Sequence, residues 1–440
     1  MKKGKPREIA VRVLLRSEDG DDYLEGLLSR ELPALALEDR HLCQELVFGV
    51  TRNRGLLDWL IGRRTGQRPQ KPPLINLLRL GLYQLFWLDR IPDHAVVNET
   101  VELARQFGFG PQSGFVNAVL RGYARERDQT RQLIDQLKAD EPDIAYSHPR
   151  WLCERWQKRW GGLALRRLLE WNNLPAPTFA RVNTLKTDAG RLLTQWREEE
   201  VEYDFIRHEW LEENLMFQLK AHPPLATLPS FQQGCFYVQD PSTLLAVEWL
   251  DPQPGERVLD VCAAPGGKMS YIAQIMRNEG QLVASDLNPK RLRLMRQNAT
   301  RLGITCVQIE ETDGTANFVR ASGAAETDSD RFDRVLVDAP CSNTGVMRRR
   351  VEVRWRVRPL EFRRLQQAQV RLLRSAITRL KPGGILVYST CSLEPEENSE
   401  VIKLVLDAAP EFELERERLL TPVQNGVDGA YVAVLRRGGS

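Results

Sequence analysis

Residues Arg257–Ser270 read RVLDVCAAPGGKMS, and few folds accommodate such a stretch. A short apolar run (Val258, Leu259, Val261) carries Asp260 near its end and gives way to Cys262-Ala263-Ala264-Pro265-Gly266-Gly267-Lys268. A helical pattern then begins. The spacing predicts a strand, a tight turn of small residues and a helix start, with glycines where a backbone must approach a ligand closely. The theme recurs downstream. Short apolar strands end in acids or cysteines: LVASD at Asp286, CVQIEETDG at Asp313, RVLVDAPCS at Asp338 and Cys341, and GILVYSTCS at Cys391. In a doubly wound α/β sheet such strand ends open onto one crevice, where ligands bind. Residues 239–440 are therefore expected to form a Rossmann-like α/β domain.

The acids indicate the ligand. Asp286 follows Asp260 by about 26 residues, where a carboxylate accepts both hydroxyls of a nucleoside ribose. Asp313 suits the exocyclic amine of an adenine. The turn is not G-x-G-x-x-G, and Lys268 is the one nearby cation to offset a pyrophosphate. A cofactor without phosphates fits better than a dinucleotide, and S-adenosylmethionine, leaving S-adenosylhomocysteine, is the expected one. Two thiols and a carboxylate, Cys341, Cys391 and Asp338, then fall at the same crevice, each thiol in a polar turn where a thiolate is stabilised.

Before this domain, residues 1–140 show apolar positions at i, i+3, i+4 in successive segments, with Pro72-Pro73 and Pro92 as breaks, and predict an all-helical bundle. His41 is expected on its surface and His94 in a loop. Residues 141–238 mix helices with short strands (PTFARVN, VEYDFI, LMFQL) and predict a small α/β subdomain, its Trp151, Trp156 and Trp160 in the core. Residues 320–330, polar and small, read as a loop. The chain has 440 residues and a net charge of +3. Seven cysteines without a C-x-x-C pair, and five histidines apart from them, argue against a disulfide framework and a metal site. No window holds 18 uninterrupted apolar residues, so a cytoplasmic protein without a membrane span is expected. Ten arginines between Arg348 and Arg374 face only Glu352 and Glu361, a patch suited to phosphates.

DVCAAPGGK, DAPCSNTG and STCS together resemble the RNA 5-methylcytosine methyltransferase family. ELVFGVTRNRGLLDWLI, LLRLGLYQL, IPDHAVVNETVELA and FVNAVLR resemble the NusB-like RNA-binding helical domain, and Arg52, Arg54, Arg63, Arg64, Arg68 and Lys71 give it a basic edge. The whole chain is similar to the bacterial members of the family that methylate cytosine C5 in 16S ribosomal RNA. The resemblance implies that Cys391 adds to cytosine C6, because C5 is a poor nucleophile until that bond forms. It implies that Cys341 resolves the adduct, that Asp338 holds cytosine N3, and that Lys268 helps to position the base. The cofactor site carries over as Cys262, Ala263, Ala264, Pro265, Gly266, Gly267 and Lys268, with Asp286, Asp313 and Asp338. The target base must leave its stack to reach a thiol, and Arg348, Arg349, Arg350 and Arg354 would hold its flanking phosphates. The partner so implied is 16S ribosomal RNA, free or in an assembling small subunit, met by a monomer. The family's aromatic DGFF-type segment is replaced here by Asp428-Gly429-Ala430-Tyr431.

Three other readings remain open at this level. A DNA cytosine-C5 methyltransferase would use the first cysteine motif and need no second, and the chain has no target-recognition insertion. Transfer RNA would require the same catalytic half. A non-catalytic RNA-binding or antitermination factor would tolerate loss of Lys268, Asp338 or either thiol, and all are present.

Overall fold

In the computed structural model, which describes residues 5–20, 22–312, 314 and 331–439, the chain forms two units. Asp313 and the expected loop at 320–330 lie outside the described residues. The first unit is Met1–Leu174 together with Met347–Arg356; the second is Pro175–Val346 with Val357–Ser440.

The first unit is helical. Pro72–Trp87 is its central helix, entered through Pro72-Pro73, where a missing N–H costs nothing. Leu74, Leu77, Leu78, Leu80, Leu82 and Leu85 are all buried, so this helix is covered on every side. Its one buried cation, Arg79, is satisfied within the bundle: Nε and Nη2 donate to Asp58 at 2.6 and 2.9 Å, and Nη1 to Glu18 at 2.6 Å. His41 is exposed, as expected, whereas His94 lies on the helix Asp93–Gln106 and not in a loop. The helix Arg150–Asn173, interrupted at Gly161, buries Leu152, Trp156, Leu165 and Leu169 and belongs to the same compact unit, which runs to Leu174.

The arginine run divides. Met347–Arg356 folds as part of the helical unit, and Arg354 is 0% exposed within it. Its Nη1 donates to the carbonyl of Arg52 at 3.1 Å and to Asn173 Oδ1 at 2.7 Å, and its Nη2 to the carbonyl of Asn172 at 2.9 Å. Trp355 Nε1 donates to the carbonyl of Thr51 at 2.7 Å, and Glu352 accepts the Leu24 amide at 3.0 Å. Arg348 is buried with its guanidinium 3.8 Å from the centre of the Trp171 ring. The phosphate-holding role expected of Arg348 and Arg354 is therefore corrected: both are internal, and what Arg354 holds is backbone. Arg349 and Arg350 are half-buried, the latter over Tyr23. We predict that Arg354→Ala, by leaving several buried carbonyls without a donor, destabilises the protein by about 3 kcal/mol. An unchanged denaturant midpoint for that variant would refute the prediction.

Among the described residues the second unit holds two sheets. The smaller is antiparallel and comprises β1 (Thr178–Val182), β2 (Glu202–Phe205), β3 (Met216–Ala221) and β4 (Phe236–Val238) in the order β2-β3-β1-β4, around Trp196, Phe217 and Phe236. The larger contains β5 (Arg257–Val261), β6 (Gln281–Asp286), β7 (Val307–Glu311), β8 (Phe332–Asp338), β9 (Leu380–Thr390), β10 (Phe412–Leu420) and β11 (Ala430–Arg437). Their order is β10-β11-β9-β8-β5-β6-β7. The five strands β5 to β9 pair in parallel, and β11 enters antiparallel between β9 and β10. Successive residues face opposite layers. Val258, Leu282, Ala284 and Leu336 pack on one side, and Leu259, Val261, Val283, Val335 and Val337 on the other. A sheet buried on both faces needs continuous apolar runs, which is why these strands read so plainly in the sequence. The chain order reverses at β5, between β6 and β8, and this opens a crevice at the carboxyl ends.

Candidate active site

The crevice is built from the turns that leave β5, β6, β8 and β9. After β5, Cys262 takes a positive φ of 62° and Gly266 one of 102°, and the helix Gly267–Ile275 starts immediately. The Ala263 amide donates to the carbonyl of Ser285 at 2.8 Å, tying this turn to the end of β6. The last residue of β6, Asp286, is 4% exposed. Its Oδ1 accepts the Asn288 amide at 2.9 Å. Its Oδ2 accepts no hydrogen bond, although Arg291 Nη1 lies 3.2 Å away. Arg291 also donates to the carbonyl of Ala264, so one side chain spans both turns. Burial pushes the Cys262 thiol up to about 12, which leaves that cysteine a main-chain role in the turn.

At the centre, Lys268 Nζ lies 2.7 Å from Asp338 Oδ1, and Ser389 Oγ donates to the same oxygen at 2.8 Å. Burial opposes the charge on Lys268, but Asp338, with Asp260 and Cys391 behind it, outweighs burial and raises its pKa. The ammonium is a fixed cation. Asp260 is different: burial first, then the neighbouring Asp338, pushes its carboxyl well above the usual range.

The turns after β8 and β9 bring the two thiols together. Cys341 Sγ and Cys391 Sγ are 3.0 Å apart, and Cys391 Sγ donates to Asn343 Oδ1 at 3.1 Å. Asn343 Nδ2 donates in turn to the carbonyl of Cys341 at 2.8 Å, which fixes the orientation of the amide. The hydrogen bond to Cys391, then burial, raises the Cys341 thiol well above its ordinary value. The two sulfurs share a hydrogen bond in which either can donate. Backbone contact closes the arrangement: the Gly345 amide donates to the carbonyl of Cys391 at 2.9 Å, and the Gly429 amide to the carbonyl of Gly345 at 2.8 Å. A Cβ on Gly345 would sit 2.6 Å from the Gly429 oxygen and 2.8 Å from the Cys391 oxygen. We predict that Gly345→Ala costs about 1–3 kcal/mol of stability and lowers activity, because backbone on both sides must shift; full activity with an unchanged melting midpoint would overturn this.

Of the residues singled out from sequence, Cys262–Lys268, Asp286, Asp338, Cys341 and Cys391 line the carboxyl ends of one sheet. Asp313 is not described, and Arg348–Arg354 belong to the helical unit. Several participants went unread. Asn343 lies inside the DAPCSNTG motif, where its type alone gives it no role. Arg181, buried, donates to Gln239 Oε1 at 2.7 Å, the carbonyl of Gly267 at 3.2 Å and Ser270 Oγ at 2.8 Å, holding the helix start after the glycine turn. Its alternation with apolar neighbours in FARVN placed it on one face of a strand and said nothing of what that face meets. Glu397, in the acidic run EPEENSE, is buried and its carboxylate meets both thiol turns. Among the described residues no cluster of His, Cys, Asp and Glu could hold a metal ion, and no helix is long and apolar enough to cross a membrane.

The sequence model of the family described as 16S rRNA methyltransferase RsmB/F matches residues 247–436, that of the NusB family residues 4–125, and that of a ferredoxin-like domain of RsmF/B-like methyltransferases residues 148–220. A Bacillus subtilis protein named "Probable ribosomal RNA small subunit methyltransferase B" is 35% identical over 100% of both chains. The Klebsiella pneumoniae ribosomal RNA small subunit methyltransferase B is 36% identical over 93% of this chain and 91% of its own. The crystal structure of a methyltransferase homologue from Pyrococcus horikoshii superposes with a TM-score of 0.57 at 32% identity, covering 70% of this chain and 99% of that one.

Proposed function

The chain belongs to the RsmB/F family of 16S rRNA methyltransferases, and from that premise we propose that it methylates C5 of a cytosine in small-subunit ribosomal RNA through a covalent bond from Cys391 to C6. The observation that carries the reading is the pair of sulfur atoms 3.0 Å apart beside the Lys268–Asp338 ion pair.

The residues at β5 and β6 fit S-adenosylmethionine. Asp286 offers a buried carboxylate oxygen that accepts no hydrogen bond, which suits a ribose hydroxyl, and the Cys262–Lys268 turn presents small residues and backbone. These residues would hold the cofactor, with Asp313 and Asp338 completing the site. When bound, S-adenosylmethionine supplies an electrophilic methyl group on a sulfonium. The protein's part is to make the base attack it. Asp338, held by Lys268 and Ser389, engages cytosine N3 and makes C6 more electrophilic. The Cys391 thiol gives up its proton, which passes by way of Asp338 to N3, as its sulfur adds to C6, and the electron pair of the C5–C6 double bond becomes available at C5. After methylation H5 leaves C5 to a base, and the C6–sulfur bond breaks with its electrons returning to Cys391. We assign that resolving step to Cys341, the group in contact with the leaving sulfur: its thiol proton passes to Cys391, and the thiolate so formed is the base that takes H5. The NusB-like unit supports ribosomal RNA as the partner, and the target cytosine would be flipped or unpaired.

The test combines purified protein, methyl-labelled S-adenosylmethionine and small-subunit ribosomal RNA, with mass spectrometry of the digested nucleosides. Label in 5-methylcytidine is the expected result. Label in another nucleoside would refute the C5 chemistry, and label in transfer RNA alone would refute the ribosomal substrate. Cofactor binding without transfer to either RNA would favour a non-catalytic factor.

A further inference from the structure

We infer that Glu397 is a positioning residue that holds the two thiol-bearing turns at their working separation. The inference deepens the two-thiol reading above and rests on it for its kinetic consequence.

Glu397 is 0% exposed, and the hydrogen bonds of its carboxylate go to neither sulfur. Its carboxylate instead accepts from the residue that follows each cysteine. One oxygen, Oε1, accepts the hydroxyl of Ser342, next to Cys341, and that of Ser392, next to Cys391, the latter at 2.6 Å. The other, Oε2, accepts the Ser342 amide at 2.8 Å and Gln369 Nε2 at 3.1 Å. Gln369 Nε2 also donates to the carbonyl of Pro340 at 2.9 Å, so the Cys341 turn is gripped on both sides of the cysteine. The main chain of Glu397 is itself fixed, because the buried Tyr388 hydroxyl donates to its carbonyl at 2.7 Å. Ser342 Oγ and Ser392 Oγ are 3.2 Å apart, and the sulfurs of the cysteines that precede them are 3.0 Å apart.

Burying a carboxylate is costly unless its oxygens are satisfied, and an apolar side chain would fill the same space more cheaply. What a carboxylate adds is two acceptor oxygens at a fixed spacing, on which four donors from two turns and one helix converge. Those turns also meet through the Gly345–Cys391 backbone bond, through hydroxyls and through Asn343 and the thiols; Glu397 adds the one carboxylate that grips the residue after each cysteine, and its reach contributes to their spacing.

Reach and charge are separable by substitution. Glu397→Gln keeps the length: its carbonyl can accept the Ser342 amide and Gln369, while its NH2 donates to serine hydroxyls that turn to receive it. Glu397→Asp keeps the charge and loses one methylene, so it cannot span both turns. Two readouts apply to the full-length protein. The first is the rate at which diamide, by taking up the two thiol hydrogens, links Cys341 to Cys391 in the folded, RNA-free state, followed by peptide mapping. The second is the kinetics of methyl transfer to small-subunit ribosomal RNA. For Glu397→Asp we expect disulfide formation to slow at least fivefold and kcat to fall about 50-fold, with the cofactor KM unchanged, as for reacting groups displaced by about 1 Å. Glu397→Gln should stay within about threefold of the parent in both. A role in stability alone would lower the melting midpoint without moving the disulfide rate well below it. Parental rates in Glu397→Asp, or equal losses in the Asp and Gln variants, would overturn the inference. If the disulfide rate responds as expected but the parent methylates no RNA, the positioning stands and the two-thiol reading of catalysis falls.

Discussion

Cys391→Ala is expected to abolish methyl transfer, with a loss of at least about 10⁴-fold, the scale on which removal of a catalytic nucleophile is felt. Without a sulfur adding to C6, cytosine C5 has no electron pair to offer, and no other group in the site replaces it. Cys341 is close, but its contact with Cys391, then burial, pushes its thiol well above its ordinary value, and its turn is anchored through Ser342 and Pro340. Cofactor affinity should stay within about threefold, because Asp286 and the Cys262–Lys268 turn belong to β5 and β6 and keep their contacts. Label incorporation and equilibrium binding measure the two quantities. Activity within tenfold of the parent protein would move the attack to Cys341.

The second large effect runs the other way. Cys341→Ala should leave attack and methylation possible and remove the group assigned to resolution, so each molecule should take up about one methyl equivalent and stop. The predicted signature is a protein–RNA species that survives denaturing electrophoresis and is destroyed by nuclease. It should be absent from Cys391→Ala and from the double variant. An adduct in Cys391→Ala, and none in Cys341→Ala, would exchange the two roles.

How much of this was legible follows from what each residue has to satisfy. Strands β5, β6, β8 and β9 are covered on both faces, so they had to be apolar, and their polar terminal residues stood out against that background. Strand β10 was missed for the opposite reason. It is an edge strand, and FELERERLL exposes Glu413, Glu415 and Glu417 among arginines, a pattern that reads as a solvated segment. Motif residues were found because chemistry restricts them locally, whereas Glu397 and Arg181 were not, because their partners lie far along the chain. Burial is not written into a residue's own neighbourhood. The same limit produced the error over Arg348 and Arg354: a cluster of arginines in sequence describes charge, and only the tertiary structure reveals that some of that charge is turned inward onto carbonyl oxygens.

The placement of Met347–Arg356 has a consequence for biosynthesis. The helical unit is not a contiguous stretch of chain. Leu174 is made well before Arg356, and at ordinary elongation rates the delay is roughly 10–35 s. During that interval the carbonyls of Thr51, Arg52 and Asn172 lack the donors that satisfy them in the finished protein. The emerging bundle must wait, incompletely filled, for a peptide that follows the strand carrying Asp338. Its final consolidation is thus a post-translational or late co-translational event, timed by synthesis of the catalytic half.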